Sequence, residues 1–192
     1  MKIFHRVKHN DGRREIYFLN IKIYSYKKDI SEQIKEDLVK KARELGVKIG
    51  EGVKLISMPG WGSEPYLIEI EDNVKISFGV TFLTHDGAWW ACKPFLKEGE
   101  PVETKVGRIK IKEGCFIGCK TTILPGCTIG KYSVTGACSV VTKDIPDGEV
   151  WAGNPAKFIC KTSDYTNKLY KIRDTKEQKE MHAIINKIRN NK

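Results

Sequence analysis

The sequence predicts an all-β core built as a coil of short strands, with six residues to each flat side, preceded by an αβ cap and followed by a helical extension. Three observations predict this. A six-residue repeat runs through the middle of the 192-residue chain, its phase reappears upstream, and both ends have periodicities of another kind.

From Ile111 the chain divides into the hexads IKEGCF, IGCKTT, ILPGCT, IGKYSV, TGACSV and VTKDIP. The first place holds Ile111, Ile117, Ile123, Ile129, Thr135 and Val141, and the fifth holds Cys115, Thr121, Cys127, Ser133, Ser139 and Ile145. A period of six fits neither an amphipathic helix nor a simple hairpin. It suits a coil whose first-place residue points inward and whose fifth fills the narrower space beside a corner. Gly118, Gly130 and Gly136 follow the inward residues, where a chain changing direction benefits from the absent Cβ. Upstream, Ile70, Ile76 and Phe82 keep the phase, with Val74 and Val80 in the fifth place, and Ile49, Val53 and Leu55 continue it more faintly.

The register then breaks, because Phe82 and Ile111 are 29 residues apart, which is not a multiple of six. The stretch AWWACKPFLKEGEPVET, about residues 88–104, lacks the pattern and is expected as a loop expelled from the coil beside His85. Insertions within solenoids commonly mark the binding face.

The ends differ. Residues 15–26, EIYFLNIKIYSY, alternate like a strand; residues 31–45 place Ile34, Leu38, Ala42 and Leu45 on one helical face, with Asp29 and Glu32 as a capping box. Beyond Pro155, Leu169, Ile172, Met181, Ile184, Ile185 and Ile188 lie in a charged background, the pattern of one or two helices packing on the coil or on a neighbour. The expected division is a strand and helix cap at 1–45, the β-helix at 46–160 and a helical extension at 161–192.

Composition limits the function classes. No apolar run reaches the ~18 residues of a membrane span, and the start carries no apolar stretch after its basic residues, so a cytoplasmic location is expected. The formal charge is +10, and it sits at the ends: residues 1–30 carry eight Lys/Arg against three acids, and residues 163–192 carry eight against four. Such ends suit peripheral contact with an anionic membrane surface, or simply solvent. No helix-turn-helix, zinc-finger or RNP signature accompanies them, and no nucleic-acid partner is expected. The six cysteines form no CxxC pair, and without a secretory signal a disulfide framework is not expected.

The run IGCKTTILPGCTIGKYSVTGACSVVTKDIPDGEVWAGNPAKFI, Ile117 to Ile159, closely resembles the C-terminal half of the hexapeptide-repeat acetyltransferases, with ILPG, TGACSVVTKDIP and AGNPAK as its specific motifs. Together with SEPYLIEI (Ser63 to Ile70) and FLTHDG (Phe82 to Gly87), the resemblance covers roughly residues 45–160. Its nearest form is the branch that O-acetylates bacterial surface sugars. The resemblance implies a left-handed parallel β-helix, a homotrimer, acetyl-coenzyme A as co-substrate, and a sugar acceptor in a surface polysaccharide or its precursor. Acetylation of an amino-sugar nitrogen, or of a small acceptor such as serine or an antibiotic, uses the same coil. A non-catalytic β-helix scaffold is the reading furthest from these motifs.

The chemistry points to His85. Acetyl-coenzyme A is already an activated thioester, so transfer needs a base for the acceptor hydroxyl, donors for the developing oxyanion and a grip on the coenzyme. A neutral imidazole, reference pKa about 6.5, supplies such a base. His85 precedes the expelled loop, and the family's catalytic histidine lies in this place, whereas His5, His9 and His182 lie outside the coil. Asp86 orients His85, binds a sugar hydroxyl or turns the chain with Gly87, while Glu64 is a second candidate to orient the histidine or hold the acceptor. Trp89 and Trp90 suit a sugar face or a neighbouring subunit.

On the coenzyme side the resemblance carries residue by residue. Phe116 stands where relatives often have Trp near the thiol, Gly118 and Cys119 where main chain approaches the thioester, and Ala137, Thr142 and Lys143 where pantetheine and nucleotide are contacted. Lys157 and Lys161 are placed for phosphate, with Cys160 where some relatives use Arg. No metal is expected, because a three-histidine zinc site cannot be assembled with His85 as the sole histidine of the coil.

Overall fold

The computed structural model describes residues 4–8, 13–18, 21–27, 30–97, 99 and 104–190. Its centre is a parallel coil with three walls. Wall 1 stacks Lys48–Ile49, Ile68–Ile70, Ile109–Ile111 and Thr128–Ile129. Wall 2 stacks Lys54–Leu55, Lys75–Ile76, Phe116–Ile117, Val134–Thr135 and Glu149–Ala152; wall 3 stacks Thr81–Phe82, Thr122–Ile123 and Val140–Val141. Every pairing between these strands is parallel and joins equivalent hexad places, as in Ile76 to Ile117 to Thr135 and Phe82 to Ile123 to Val141. The coil is the left-handed parallel β-helix of hexapeptide repeats.

The repeat predicts the core residue by residue. First-place Ile70, Ile76, Phe82, Ile111, Ile117, Ile123, Ile129, Thr135 and Val141 are buried, and so are fifth-place Val74, Val80, Cys115, Thr121, Cys127, Ser133, Ser139 and Ile145. The small polar residues among them are satisfied locally: Thr121 Oγ1 donates to the Gly136 carbonyl at 3.1 Å and Ser133 Oγ to that of Pro146 at 2.7 Å. Burial therefore carries no unpaired hydroxyl at these positions.

Two features of the corners differ from the sequence argument. The left-handed backbone falls on the fourth place, at Gly114 and Gly126 but also at Asn73, Lys120, Tyr132 and Cys138, all with φ between 55° and 87°. The second-place glycines serve close approach instead. A Cβ on Gly130 would lie 2.4 Å from the Asp147 nitrogen, and one on Gly118 2.5 Å from the Thr135 carbonyl oxygen.

Before the coil, Phe4–Lys8, Arg13–Phe18 and Ile21–Lys27 form an antiparallel sheet. The expected single strand over 15–26 is two, joined where Phe18 pairs with Ile21. The apolar alternation shifts parity between those residues, and that shift marks the break. Helix α1, Ile30–Glu44, follows; Asp29 of the expected capping box lies outside the described residues. Ala42 is buried and Leu38 packs on the core, but Leu45 lies beyond the helix end and is 54% exposed, its expected place being taken by Val47 and Val39. The Arg43 guanidinium donates to the carbonyls of Ile49 and Gly50 at 2.9 Å, closing backbone acceptors that the first coil leaves open.

The insertion leaves wall 3 after Phe82 and carries the short helix α2, Trp89–Cys92. At the other end, Lys157–Lys161 pairs antiparallel with Glu149–Ala152, and helices α3, Thr162–Arg173, and α4, Lys176–Asn190, follow. Their apolar residues Leu169, Ile172, Met181, Ile184, Ile185 and Ile188 are all exposed in the single chain. No helix among the described residues is long and apolar enough to cross a membrane.

All six cysteines are free thiols. The Cys115 thiol donates to the Gly130 carbonyl at 2.9 Å, and burial pushes its pKa up to about 11; burial also raises that of Cys127. A thiol reagent at neutral pH is therefore expected to label exposed Cys92 and Cys138 in the native protein and Cys115 and Cys127 only after unfolding. All six should titrate after denaturation without reductant; fast native labelling of Cys115 would contradict its place in the core.

Candidate active site

His85 stands where the chain leaves the coil. Phe82 is the last inward residue of its rung, Thr84 is buried, and His85–Asp86 then pairs antiparallel with the returning strand Lys105–Val106. The Gly107 N–H donates to the Thr84 carbonyl at 2.9 Å, so the base of the insertion is closed on both sides of the histidine. The imidazole lies at the corner between walls 3 and 1, half-exposed.

A second segment comes to the same corner from one coil below. In the segment MPGWGSEPYL, Trp61 is buried and stacks on Phe82 with ring centroids 5.1 Å apart, its indole N–H directed at Met58 sulfur. Gly62, with φ of 68°, passes where a Cβ would lie 2.9 Å from Thr84 Oγ1. This anchoring delivers Glu64, at the start of the 3₁₀ turn Pro65–Leu67, to the histidine. Glu64 Oε2 lies 2.9 Å from His85 Nδ1 and accepts a short hydrogen bond from the Thr84 hydroxyl.

The electrostatics follow from these contacts. The hydrogen bond from His85, and then that from Thr84, hold the Glu64 carboxyl below its ordinary range, against some desolvation. An ionised carboxylate accepts only, so Nδ1 carries the hydrogen, and in the neutral ring the lone pair is then on Nε2. The arrangement is an imidazole oriented through Nδ1 on a half-exposed side chain. Asp86 does not reach it: Oδ1 accepts from the Ala88 N–H at 2.9 Å and forms the turn into the insertion.

On the insertion, the Trp89 and Trp90 rings meet edge to face with centroids 5.5 Å apart, and Lys93 Nζ lies 4.7 Å from one centroid and 3.6 Å from the other. The exposed indole of Trp90 is covered on that side by a cation.

The residues expected to hold the coenzyme form two groups. Thr142 and Lys143 share the corner of His85 but lie two rungs further along the axis, roughly 10 Å at the usual strand spacing. Phe116 faces outward on wall 2, while Gly118, Cys119 and Ala137 line the corner between walls 2 and 3. Lys157 pairs with Ala152 at the top of that column, while Lys161, at the far end of the same strand, is bound at 2.7 Å to Glu149. Within one chain a whole wall separates this second group from His85.

Sequence reasoning missed Thr84, Trp61 and Lys93. Thr84 is signalled only by standing next to the histidine, and Trp61 by lying between two glycines. Neither spacing reveals the partner one coil away.

Comparison with known proteins gives four matches. Residues 108–143 match the family described as bacterial transferase hexapeptide (six repeats). Protein CapG of Staphylococcus aureus is 39% identical, over 79% of this chain and 90% of CapG. The dTDP-3-amino-3,6-dideoxy-alpha-D-galactopyranose 3-N-acetyltransferase of Aneurinibacillus thermoaerophilus is 44% identical over 63 residues, 33% of each chain. Among solved structures, AntD, an N-acyltransferase from Bacillus cereus in complex with dTDP and 3-hydroxybutyryl-CoA, aligns with a TM-score of 0.46 at 19% identity. The alignment covers 68% of this chain and 82% of AntD.

Proposed function

The chain belongs to the hexapeptide-repeat acetyltransferase family, and from that premise we propose that it transfers acetyl from acetyl-coenzyme A to a hydroxyl of a sugar in a bacterial surface polysaccharide or its precursor. It is an acyltransferase. The contact between His85 Nδ1 and Glu64 carries this reading, because it leaves Nε2 as a base at the mouth of the insertion. His85 takes the proton from the acceptor hydroxyl as the oxygen attacks the thioester carbonyl; Glu64 and Thr84 keep the imidazole in the productive tautomer and offset the charge it acquires. After transfer, the imidazolium returns the proton to the departing thiolate.

The wall that separates His85 from Gly118, Cys119, Ala137 and Lys157 supports a homotrimer with sites shared between neighbours, since one chain cannot bring both groups to one ligand. Outward Phe116, Phe158 and Ile159, all exposed in the single chain, are suited to cover by a second copy. Acetylation of an amino-sugar nitrogen is the second reading, favoured by the similarity to an amino-sugar N-acetyltransferase.

Labelled acetyl-coenzyme A offered with glycosides, amino sugars, nucleotide sugars, lipid-linked glycans and polysaccharides should yield a labelled sugar. Mild alkali releases the label from an ester and leaves it on an amide. Light scattering of the same preparation should give three chains per particle. No transfer to any sugar, with transfer to serine or an antibiotic instead, would overturn the sugar assignment.

A further inference from the structure

Resting on the acetyltransferase reading, we infer that Phe78 limits the length of the acyl group. Its ring closes the lower end of the coenzyme groove, admitting acetyl and excluding longer acyl chains.

The groove follows from the stacking of small residues. At the corner between walls 2 and 3, the second place of successive coils holds Ser77, Gly118 and Gly136, and the third holds Phe78, Cys119 and Ala137. The backbone joins these places rung by rung: the Lys120 N–H donates to the Phe78 carbonyl at 2.9 Å, and the Cys138 N–H to that of Cys119 at 2.8 Å. Neither glycine tolerates a side chain. A Cβ on Gly118 would lie 2.5 Å from the Thr135 carbonyl oxygen, and one on Gly136 2.6 Å from the Ala152 Cβ. Two coils therefore offer a strip of backbone flanked only by the short side chains of Cys119 and Ala137, over which a narrow flexible chain can lie along the axis. One coil lower, the third place changes from a small side chain to an aromatic one. Phe78 is 49% exposed, so its ring is not a core residue but stands on the outer surface in line with the strip.

The polarity of the groove puts that ring at the acyl end. Lys157, at the top of the column, suits the coenzyme phosphates, and Gly118 and Cys119, at its lower end, suit the thioester. The acyl group then points to the next rung, about 4.8 Å away. An acetyl methyl in contact with the ring carbons, at about 3.5–4.0 Å, fills most of that interval. Each further methylene has to displace the ring, and one misfitting methylene commonly costs about tenfold or more in discrimination.

Calorimetric titration of the assembled protein with coenzyme A and its acetyl, propionyl and butyryl thioesters tests this without any acceptor. The parent is expected to bind the butyryl thioester about tenfold or more weakly than the acetyl thioester, with propionyl between them. Phe78→Ala should abolish the difference and Phe78→Leu reduce it, while coenzyme A, which has no acyl group, binds all three proteins alike. The ring is half-exposed, so its removal leaves no cavity in the coil. Equal binding of the thioesters by the parent, or a preference for acetyl that survives Phe78→Ala, overturns the inference and leaves the acetyltransferase reading standing. Loss of the three-chain particle in Phe78→Ala, read by light scattering, overturns it too, by assigning the ring to a contact between copies. Failure of coenzyme A and every thioester to bind counts against the acetyltransferase reading and the inference together.

Discussion

His85→Asn protein is expected to fold, assemble and bind coenzyme A as the parent does, and to transfer acetyl at least about 10²-fold more slowly. The side chain lies half-exposed at a corner, so its replacement leaves no cavity in the coil. Asn retains a donor for Glu64 but has no nitrogen that accepts a proton at neutral pH, and the effect should fall on kcat and not on coenzyme affinity. The pH profile gives a second readout. Because its hydrogen bonds to His85 and Thr84 lower the Glu64 pKa, Glu64 is ionised at and above the ordinary carboxylate range, and its contribution is lost only as pH falls through the lowered value. An acid limb of kcat/KM above that range is therefore not that of Glu64, and comparison with the residual activity of His85→Asn tests whether it is lost with the imidazole. Glu64→Gln should lower kcat less, since the amide still meets Nδ1 but no longer enforces its tautomer. Parental transfer rates in assembled His85→Asn would show that the proton leaves by another route.

The second large effect is on stability. Phe82 is fully buried where wall 3 ends, and its ring stacks on Trp61, which anchors the segment bearing Glu64. Phe82→Ala is expected to cost about 3–5 kcal/mol, the usual range for emptying a buried aromatic site. For a chain of this size that lowers Tm by roughly 6–20 °C, readable by thermal melts followed by circular dichroism. Phe82→Leu keeps most of the volume and should keep the fold, while freeing Trp61 of its partner. Its kcat should fall with the coenzyme KM unmoved, because Glu64 is then held less firmly against His85. An unchanged Tm for Phe82→Ala would mean that the corner repacks without the ring.

The coil was legible because its physics is periodic. Each flat side needs one inward aliphatic residue and one small residue beside the corner, so Ile111, Cys115, Ile117 and Thr121 state the core wherever they stand in the chain. The break in period after Phe82 likewise announced the insertion. Helix ends and strand breaks were less legible: Leu45 fits the helical face of α1, but the chain turns at Gly46 and buries Val47 instead. The partner of His85 was not decidable from the sequence. Glu64 and Asp86 were both acidic residues near it, one 21 residues away and the other adjacent. The fold puts the distant one in contact and turns the near one into a loop hydrogen bond, because successive coils stack about 4.8 Å apart whatever length of chain separates them. The repeat determined which residues point inward, since that depends on position within six; which outward side chains meet depended on the stacking of whole coils and on the chain that leaves and re-enters them.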